Sequence, residues 1–457
     1  MFEGQGFELV GFLLARGLGL TYLIAFYIFY TQYSALAGRN GLDPVKQRDE
    51  QFWEYFSLFH FNSSKKFINF SALTGILLSL TILTGMTEFL SSFSVTVVWI
   101  ALWVLFTSFV NFGGVFTRPG WELMLAEAGF IAIFLGNASV ETSFLVILAF
   151  RWIVFRMMLG SAIVKLRGGE EWRTLDALKT HFESQPFPGP LSWKIHSLPD
   201  KVLEYLTVLI QLPMLFLPFI YFMPQPFAAI AGILTIVFQI LIFVSGNYAW
   251  LNLITAVLAL STLNDSIVQS ITGLATGSAS SYPYSGFLTI SMILLAIFSI
   301  NPILNFFSRK PAQNTSYNPF NVGNSYGAFP KVMEKHFEIG IEGEKNGEWK
   351  EYELHSSFRE KDRKPVQIAP NHHMLEYILY FYVNEEIEQS DWLNRLLEKT
   401  LEHEGKTLTL YRSIPFQKPP ERVRAVKYRY EFTDPEEKKQ TGNYWKREKK
   451  EVLHTVN

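Results

Sequence analysis

The sequence predicts a polytopic α-helical membrane protein with a C-terminal soluble α+β domain, a small β-sheet plus helices. Three observations lead there. Of 457 residues, 49% are hydrophobic and 16% aromatic, yet only 18% are charged, where soluble domains carry about a quarter. The long apolar stretches lie before about residue 308, and several reach the ~20 residues a bilayer-crossing helix needs. The remaining third is polar and alternates as strands do. The net charge of -1 conceals this division.

Composition also excludes. With no cysteine, disulfides, thiolate catalysis and Cys-based metal sites are out. Basic residues do not interleave with stacking aromatics outside the far C-terminus, so nucleic acid is not expected as a partner. There is no phosphate loop, no Ser-His-Asp order and no HExxH.

Residues 1–6 lack the basic start and small-residue cleavage site of a signal peptide. Val10 to Tyr30 forms the first span and holds Arg16, which must snorkel or be paired. Gly17 and Gly19 beside it permit close backbone approach. GRNGLDP (Gly38 to Pro44) is a turn-rich loop, and QFWEYFSLFHF after it is aromatic enough to lie at an interface. Phe67 to Met86 and Phe93 to Phe112 read as further spans, while Trp121 to Leu135, with Glu122 and Glu127, is short for one.

Phe144 to Lys165 is a span carrying Arg151, Arg156 and Lys165. Val202 to Met223 is another, expected to kink at Pro213 and Pro218. Ala228 to Val244 precedes the polar break Ser245 to Tyr248, and Trp250 to Leu263 follows it. Residues 266–284 are Ser/Gly-rich and expected to be weakly structured, and Gly286 to Phe307 is the last span. The total is about seven or eight segments. The expected domains are a transmembrane unit over 1–310, a linker of turn formers over 311–330 and a soluble unit over 331–457.

In the soluble unit, HFEIGIEG and EWKEYELHSS read as strands joined by a turn at Gly343 to Gly347. Met374 to Tyr382 and Trp392 to Leu401 read as helices, with Asn371 as a cap before the first and His372 and His373 as surface or core residues. KTLTLYRSIPF and VRAVKYRYEF read as two more strands. The tail WKREKK is expected to be a solvated end, with headgroup contact as the alternative.

Charges inside a membrane are functional hypotheses by default. On a helix, Arg151 and Lys165 fall within about 40° of each other, roughly 21 Å apart along the axis, and Arg156 points away. Two readings stand: pairing with acids such as Glu122 or Glu127, or lining a cavity that receives a carboxylate, a phosphate headgroup or a substrate. Lys165, withdrawn from water beside Arg167, is a candidate general base or a lysine snorkelling to the interface. The loop after it holds Trp172, Asp176, His181, Glu183, Gln185 and three prolines, a stiff segment suited to a site mouth or a loop cap. His181 and Glu183 lack a third ligand at ordinary spacing, so no metal site is expected. Asn247, Tyr248 and Asn252 either line the same cavity or satisfy an unwound helix turn.

The segments RGLGLTYLIAF, GRNGLDP, WELMLAEAGFIAIFL and RWIVFRMMLGSAIVKLRGGEEWRTLDALKTHFESQPFPGPLSW resemble the lipase maturation factor family. So do GNYAWLNLIT, NSYGAFP, RKPVQIAPNHHMLEY, IPFQKPPERVRAVKYRYEFT and YWKR, in order over most of the chain. The resemblance implies a polytopic membrane protein whose C-terminal domain lies on the non-cytosolic side and assists maturation of client proteins such as lipases. The chain has no cysteine and no retrieval signal of the KDEL kind, so a bacterial plasma membrane is expected rather than the endoplasmic reticulum. More distantly, GSAIVKLRGGEEW is similar to the segment of vitamin K-dependent carboxylases that carries their catalytic lysine, placed at Lys165. The carboxylases' Asn-His pair corresponds to Asn137 followed by Ala138. The preferred function is assisted maturation. The alternative is a membrane-embedded enzyme with Lys165 as general base acting on a lipid-like or quinone-like substrate. No cofactor is required by the residues, and membrane lipids are expected partners.

Overall fold

A computed structural model describes residues 6–44, 56–117, 119–137, 139–274, 280–356, 360–383 and 390–457. Residues 51–55 of the aromatic segment QFWEYFSLFHF, and Ala138, lie outside the described residues. Among those described, seven helices are long and apolar enough to cross a membrane, or up to eight if one bent pair counts as a span.

Helix α1 (Glu8–Ile28) continues through a π-turn at Phe29–Tyr33 into Ser34–Leu36. Arg16 within it is paired, not snorkelling: Nη2 lies 2.6 Å from Glu88 Oε1. Serine hydroxyls start α2 (Lys65–Leu83) and α3 (Ser92–Phe112), Ser64 accepting from the Phe67 N–H and Ser91 from the Ser94 N–H. Gly75 of α2 lets the Phe26 ring lie where a Cβ would be, within 2.4 Å, so α1 and α2 meet closely.

Helix α4 (Gly120–Ala132) buries every residue except Phe130. Its 13 residues make it an internal helix, about 20 Å long. Beside it runs α5 (Phe144–Arg167), begun by the Ser143 hydroxyl. Its apolar window is 78% buried, against 22% for the later span Asp200–Ile220, so α5 is the axis of the bundle.

The loop after α5 folds into α6 (Ala177–Ser184), flanked by short turns at Glu170–Trp172 and Ser192–His196. Then α7 (Asp200–Ile220) runs through Pro213 and Pro218 as one helix, followed by α8 (Phe227–Ser245). Leu209, Phe216 and Phe219 of α7 and Ile230 and Leu241 of α8 are exposed apolar side chains, as a lipid-facing surface requires.

After the break at 246–250, α9 (Leu251–Ala259) continues to Thr262, and the chain turns by 115° into α10 (Asp265–Thr272). Part of the segment expected to be weakly structured is therefore helix. Asn264 caps it by accepting the Ile267 N–H, and Gly273 closes it at φ 71°. Helices α11 (Ser285–Phe298) and α12 (Ile300–Phe307) form the last span.

Residues 311–330 run back along the bundle. Asn314 lies against Gly120, and Asn324, Tyr326 and Ala328 bond to side chains of α4 and α5.

The C-terminal sheet is antiparallel in the order β2-β1-β3-β4. Strands β1 (His336–Lys345) and β2 (Glu348–Tyr352) pair Lys345 with Glu348 across Asn346 and Gly347, both at positive φ. The hairpin turn is therefore the Asn-Gly pair, and β1 runs through Gly343, beyond the expected boundary. Helices α13 (Met374–Tyr382) and α14 (Asp391–Leu401) match their expected bounds within one residue. Strand β3 (Arg422–Phe432) buries Val426, Tyr428, Tyr430 and Phe432, the face expected from alternation.

Two expectations fail here. Residues 406–416 are not a strand: a short helix at Gly405–Leu408 leads to a lone bridge between Glu353 and Ser413. The basic tail is not a free end either. After α15 (Pro435–Thr441) it forms β4 (Trp445–Val456), pairing with β3 from Phe432–Trp445 to Val423–Val456. Its inward anchor is Trp445, 1% exposed, stacked on Phe432 at 4.2 Å. Trp445→Ala is expected to cost about 3–5 kcal/mol. The loss would be read as a lower unfolding temperature and faster proteolysis of the C-terminal segment in detergent.

Candidate functional site

The charged residues of α5 part company. Arg156 Nη1 donates to Glu127 Oε2 at 3.2 Å and Nη2 to Glu127 Oε1, with side-chain exposures of 1% and 0%. Glu127 also accepts the Asn324 N–H at 3.1 Å, the Asn324 Nδ2 at 3.1 Å and the Tyr326 hydroxyl at 2.7 Å. Arg156 donates again to the Asn324 carbonyl at 2.7 Å. The pair thus joins α4, α5 and the returning segment, with both charges hydrogen-bonded as burial demands.

Arg151 has carbonyl partners: Nε donates to Ser261 at 2.8 Å and Nη1 to Tyr221 at 3.1 Å. Both carbonyls close helical turns, where a cation is favoured by the helix dipole. Arg167 similarly reaches the Phe306 and Ser308 carbonyls at the end of α12. Glu122 accepts from Trp121 Nε1 at 2.8 Å and faces His372 Nδ1 at 3.8 Å.

Lys165 is different. It is 5% exposed, and Nζ donates to the Ala328 carbonyl at 2.5 Å. The ammonium sits 5.1 Å from the Trp172 ring centroid and 6.0 Å from that of Phe329. It lines a cavity of about 90 Å³ together with Ser161, Trp172, His181, Gln239 and Asn252. A second cavity of about 340 Å³, reaching Trp121, Lys331, Tyr377 and Phe381, shares the wall made by Met157, His181, Tyr248, Ala328 and Phe329.

The expected single Arg-lined cavity is therefore divided. Lys165, Trp172, His181 and Tyr248 come together, while Arg16, Glu122, Glu127, Arg151, Arg156 and Arg167 lie away from the two cavities. His181 Nε2 lies 3.2 Å from the Tyr248 hydroxyl, which donates to Gln185 Oε1. Burial, and secondarily the Lys165 charge, lowers the His181 pKa to about 3, so the imidazole is neutral at physiological pH.

Glu183 and Asn247 face the C-terminal unit instead. Glu183 Oε2 accepts the Phe432 N–H at 2.7 Å, and burial raises its pKa above the usual carboxylate value. Asn247 Nδ2 donates to Phe187 and Val366 carbonyls at 3.0 and 2.9 Å, and its Oδ1 accepts from Ile368 and Ala369 N–H groups at 2.6 and 2.9 Å. Its own carbonyl accepts the Tyr377 hydroxyl. The expected Asn371 cap is replaced by Gln32 of the first span, whose Oε1 accepts the Met374 N–H at 3.0 Å.

The lipase maturation factor transmembrane domain family matches residues 9–270, and the lipase maturation factor C-terminal domain family matches residues 322–455. The chain belongs to the lipase maturation factor family. It is 29% identical to lipase maturation factor 1 of Homo sapiens over 498 residues, covering 97% of this chain and 87% of that protein. Lipase maturation factor 1 of Bos taurus is 28% identical over 477 residues, covering 94% of this chain and 85% of its own length. Lipase maturation factor 2 of Xenopus tropicalis is 32% identical over 273 residues, 54% of this chain and 38% of its own length. No solved structure matches the chain. Residues 271–321, which include the last span, lie between the two matched regions, and the C-terminal match begins within the segment that returns along the bundle.

Removing one member of the buried pair leaves the other charge unmatched. Arg156→Met is expected to cost about 3–5 kcal/mol, and the Arg156→Met/Glu127→Leu double variant substantially less. Thermal unfolding of the two in detergent makes the comparison.

In α13, burial raises the Glu376 carboxyl from 4.5 to about 7, although it accepts N–H bonds from His355 and Ser356. A carboxyl raised on folding stabilises most while protonated. Its contribution is full below its unfolded value and is lost as pH rises through about 7. Glu376→Gln is expected to flatten the fall in stability between about pH 5 and 8 relative to the parent, measured by unfolding at each pH.

Proposed function

We propose that the protein is a membrane-anchored maturation factor for secreted or membrane-associated client proteins, a lipase among them. In this reading residues 1–310 form the anchoring unit, 311–330 connect it, and the soluble unit over 331–457 engages the client on the non-cytosolic side. The membrane is the plasma membrane of a bacterium. Membership of the lipase maturation factor family supports the activity. The observation that carries the reading further is the way the C-terminal unit is held. Asn247 bonds to three of its backbone groups, and Gln32 supplies a cap to α13. Tyr380 donates to the Ser184 carbonyl, and Phe432 to Glu183. A unit bonded at so many points presents one fixed surface to a client close to the membrane, as a folding platform requires.

The carboxylase-like reading, Lys165 as general base on a lipid-like or quinone-like substrate, finds less support. The turn that corresponds to the carboxylases' Asn-His pair precedes α5, where Asn137 Nδ2 donates to the Leu90 carbonyl. Lys165 lies near the opposite end of that helix, about 30 Å along the axis. The two positions do not meet in one site.

The test is a secreted lipase co-expressed with this chain in cells stripped of their own maturation factors. Active secreted lipase is expected to rise at least fivefold with the parent. It should fall back severalfold with Asn247→Ala/Tyr377→Phe, which loosens the C-terminal unit while leaving the bundle in the membrane. Equal lipase output with and without the chain would overturn the reading.

A further inference from the structure

The intramembrane cations are otherwise matched. Arg16 has Glu88, Arg156 has Glu127, and Arg151 has two carbonyls that end helical turns. Lys165 has three N–H donors and one recorded acceptor, the Ala328 carbonyl. Among the described residues no carboxylate comes within 4.0 Å of its ammonium nitrogen. Burying a charge this way is costly unless a counter-charge arrives.

Two further groups in the same chamber wait for partners. Trp172 is 1% exposed with its Nε1–H unbonded, and Asn252 is 4% exposed with Oδ1 unbonded. An unsatisfied buried polar atom costs about 1–3 kcal/mol. Asn252 Nδ2 donates to Gln239 Oε1 at 2.7 Å. Turning both amides over keeps that bond, gives up the 3.6 Å contact of Gln239 Nε2 with Met158 Sδ, and puts an N–H donor where the unbonded Oδ1 stands. Lys165, Trp172 and Asn252 all line this one small space. Ser161, His181, Gln239, Ser245 and Tyr248 add further polar lining, and the apolar wall includes Met158, Phe182, Ile210, Met214, Phe238 and Ile242. The last four belong to α7 and α8, whose outer faces are exposed to lipid.

We propose that the Lys165 chamber binds the anionic headgroup of a membrane amphiphile, its acyl chain lying along the α7–α8 wall. The anion accepts from Lys165, Trp172 and Asn252. A carboxylate and a phosphate share this acceptor chemistry. The neutral His181 and the Tyr248 hydroxyl form the partition toward the outer cavity. The proposal is independent of client maturation, and Lys165 here is a binding residue with no proton transfer asked of it.

The experiment uses the full chain, delipidated and returned to uncharged detergent, with native mass spectrometry and equilibrium binding of three probes. These are oleate, dioleoyl phosphatidic acid and oleyl alcohol, which has the chain of oleate without the charge. One saturable equivalent of oleate or of phosphatidic acid is expected, held at least tenfold more tightly than oleyl alcohol. Whichever anion binds identifies the headgroup. Lys165→Met should weaken it at least tenfold, and Trp172→Phe, which keeps an aromatic ring, though a smaller one, and removes the N–H, about threefold to tenfold. Equal binding of oleyl alcohol and the anions by the parent would overturn the proposal, as would undiminished anion binding by a folded Lys165→Met. Should Lys165→Met fail to fold, the alcohol comparison on the parent and the Trp172→Phe variant decide.

Discussion

The bundle depends on one buried ion pair. Glu127 and Arg156 sit where neither water nor lipid can solvate a charge, and each is tolerable only because the other is there. The pair alone would leave lone pairs and N–H groups unmatched. Asn324 and Tyr326 complete it, and they come from the far side of the last span. The electrostatic requirement of two helices is thereby met by a third piece of chain, which is drawn back across the bundle. That return places Ala328 over Lys165 and Phe329 over the chamber. The position of the chamber is a consequence of how Glu127 is satisfied.

Much of the membrane unit was legible because lipid imposes a simple rule: every spanning segment must be long and apolar, and such runs are visible in a sequence. The pairing of Arg156 with Glu127 was one of two readings that the residues left open. Strand β4 was missed for a physical reason. Lys446, Glu448, Lys450 and Glu451 read as a solvated tail, since an edge strand needs just one buried face and here Trp445 supplies most of it. Residues 406–416 misled in the opposite sense, their β-branched alternation being overridden by the turn that brings Tyr411 onto Tyr352.

The chamber was half legible. Lys165, Trp172, His181 and Tyr248 were singled out from the sequence, and they converge. Phe329, Gln239 and the methionines were not, because nothing in an apolar run distinguishes a cavity wall from a helix contact. Asn247 stood out as a polar break and proved to be a clasp between the units. A conspicuous polar residue in an apolar setting marks unmet backbone groups nearby. Whether they belong to a ligand site or to a neighbouring chain segment is decided by the tertiary fold.

The internal helix α4 constrains how the protein can be made. At about 20 Å it cannot cross a hydrocarbon layer of about 30 Å by itself. It also carries Glu122 and Glu127, which make solitary insertion costlier still. The insertion machinery cannot therefore release it into lipid as an independent stem. Its Glu127 charge is matched by Arg156 of α5, so the two helices enter lipid at lower cost as a neutralised pair than singly. Charge, as well as length, therefore constrains how this part of the bundle can enter the membrane.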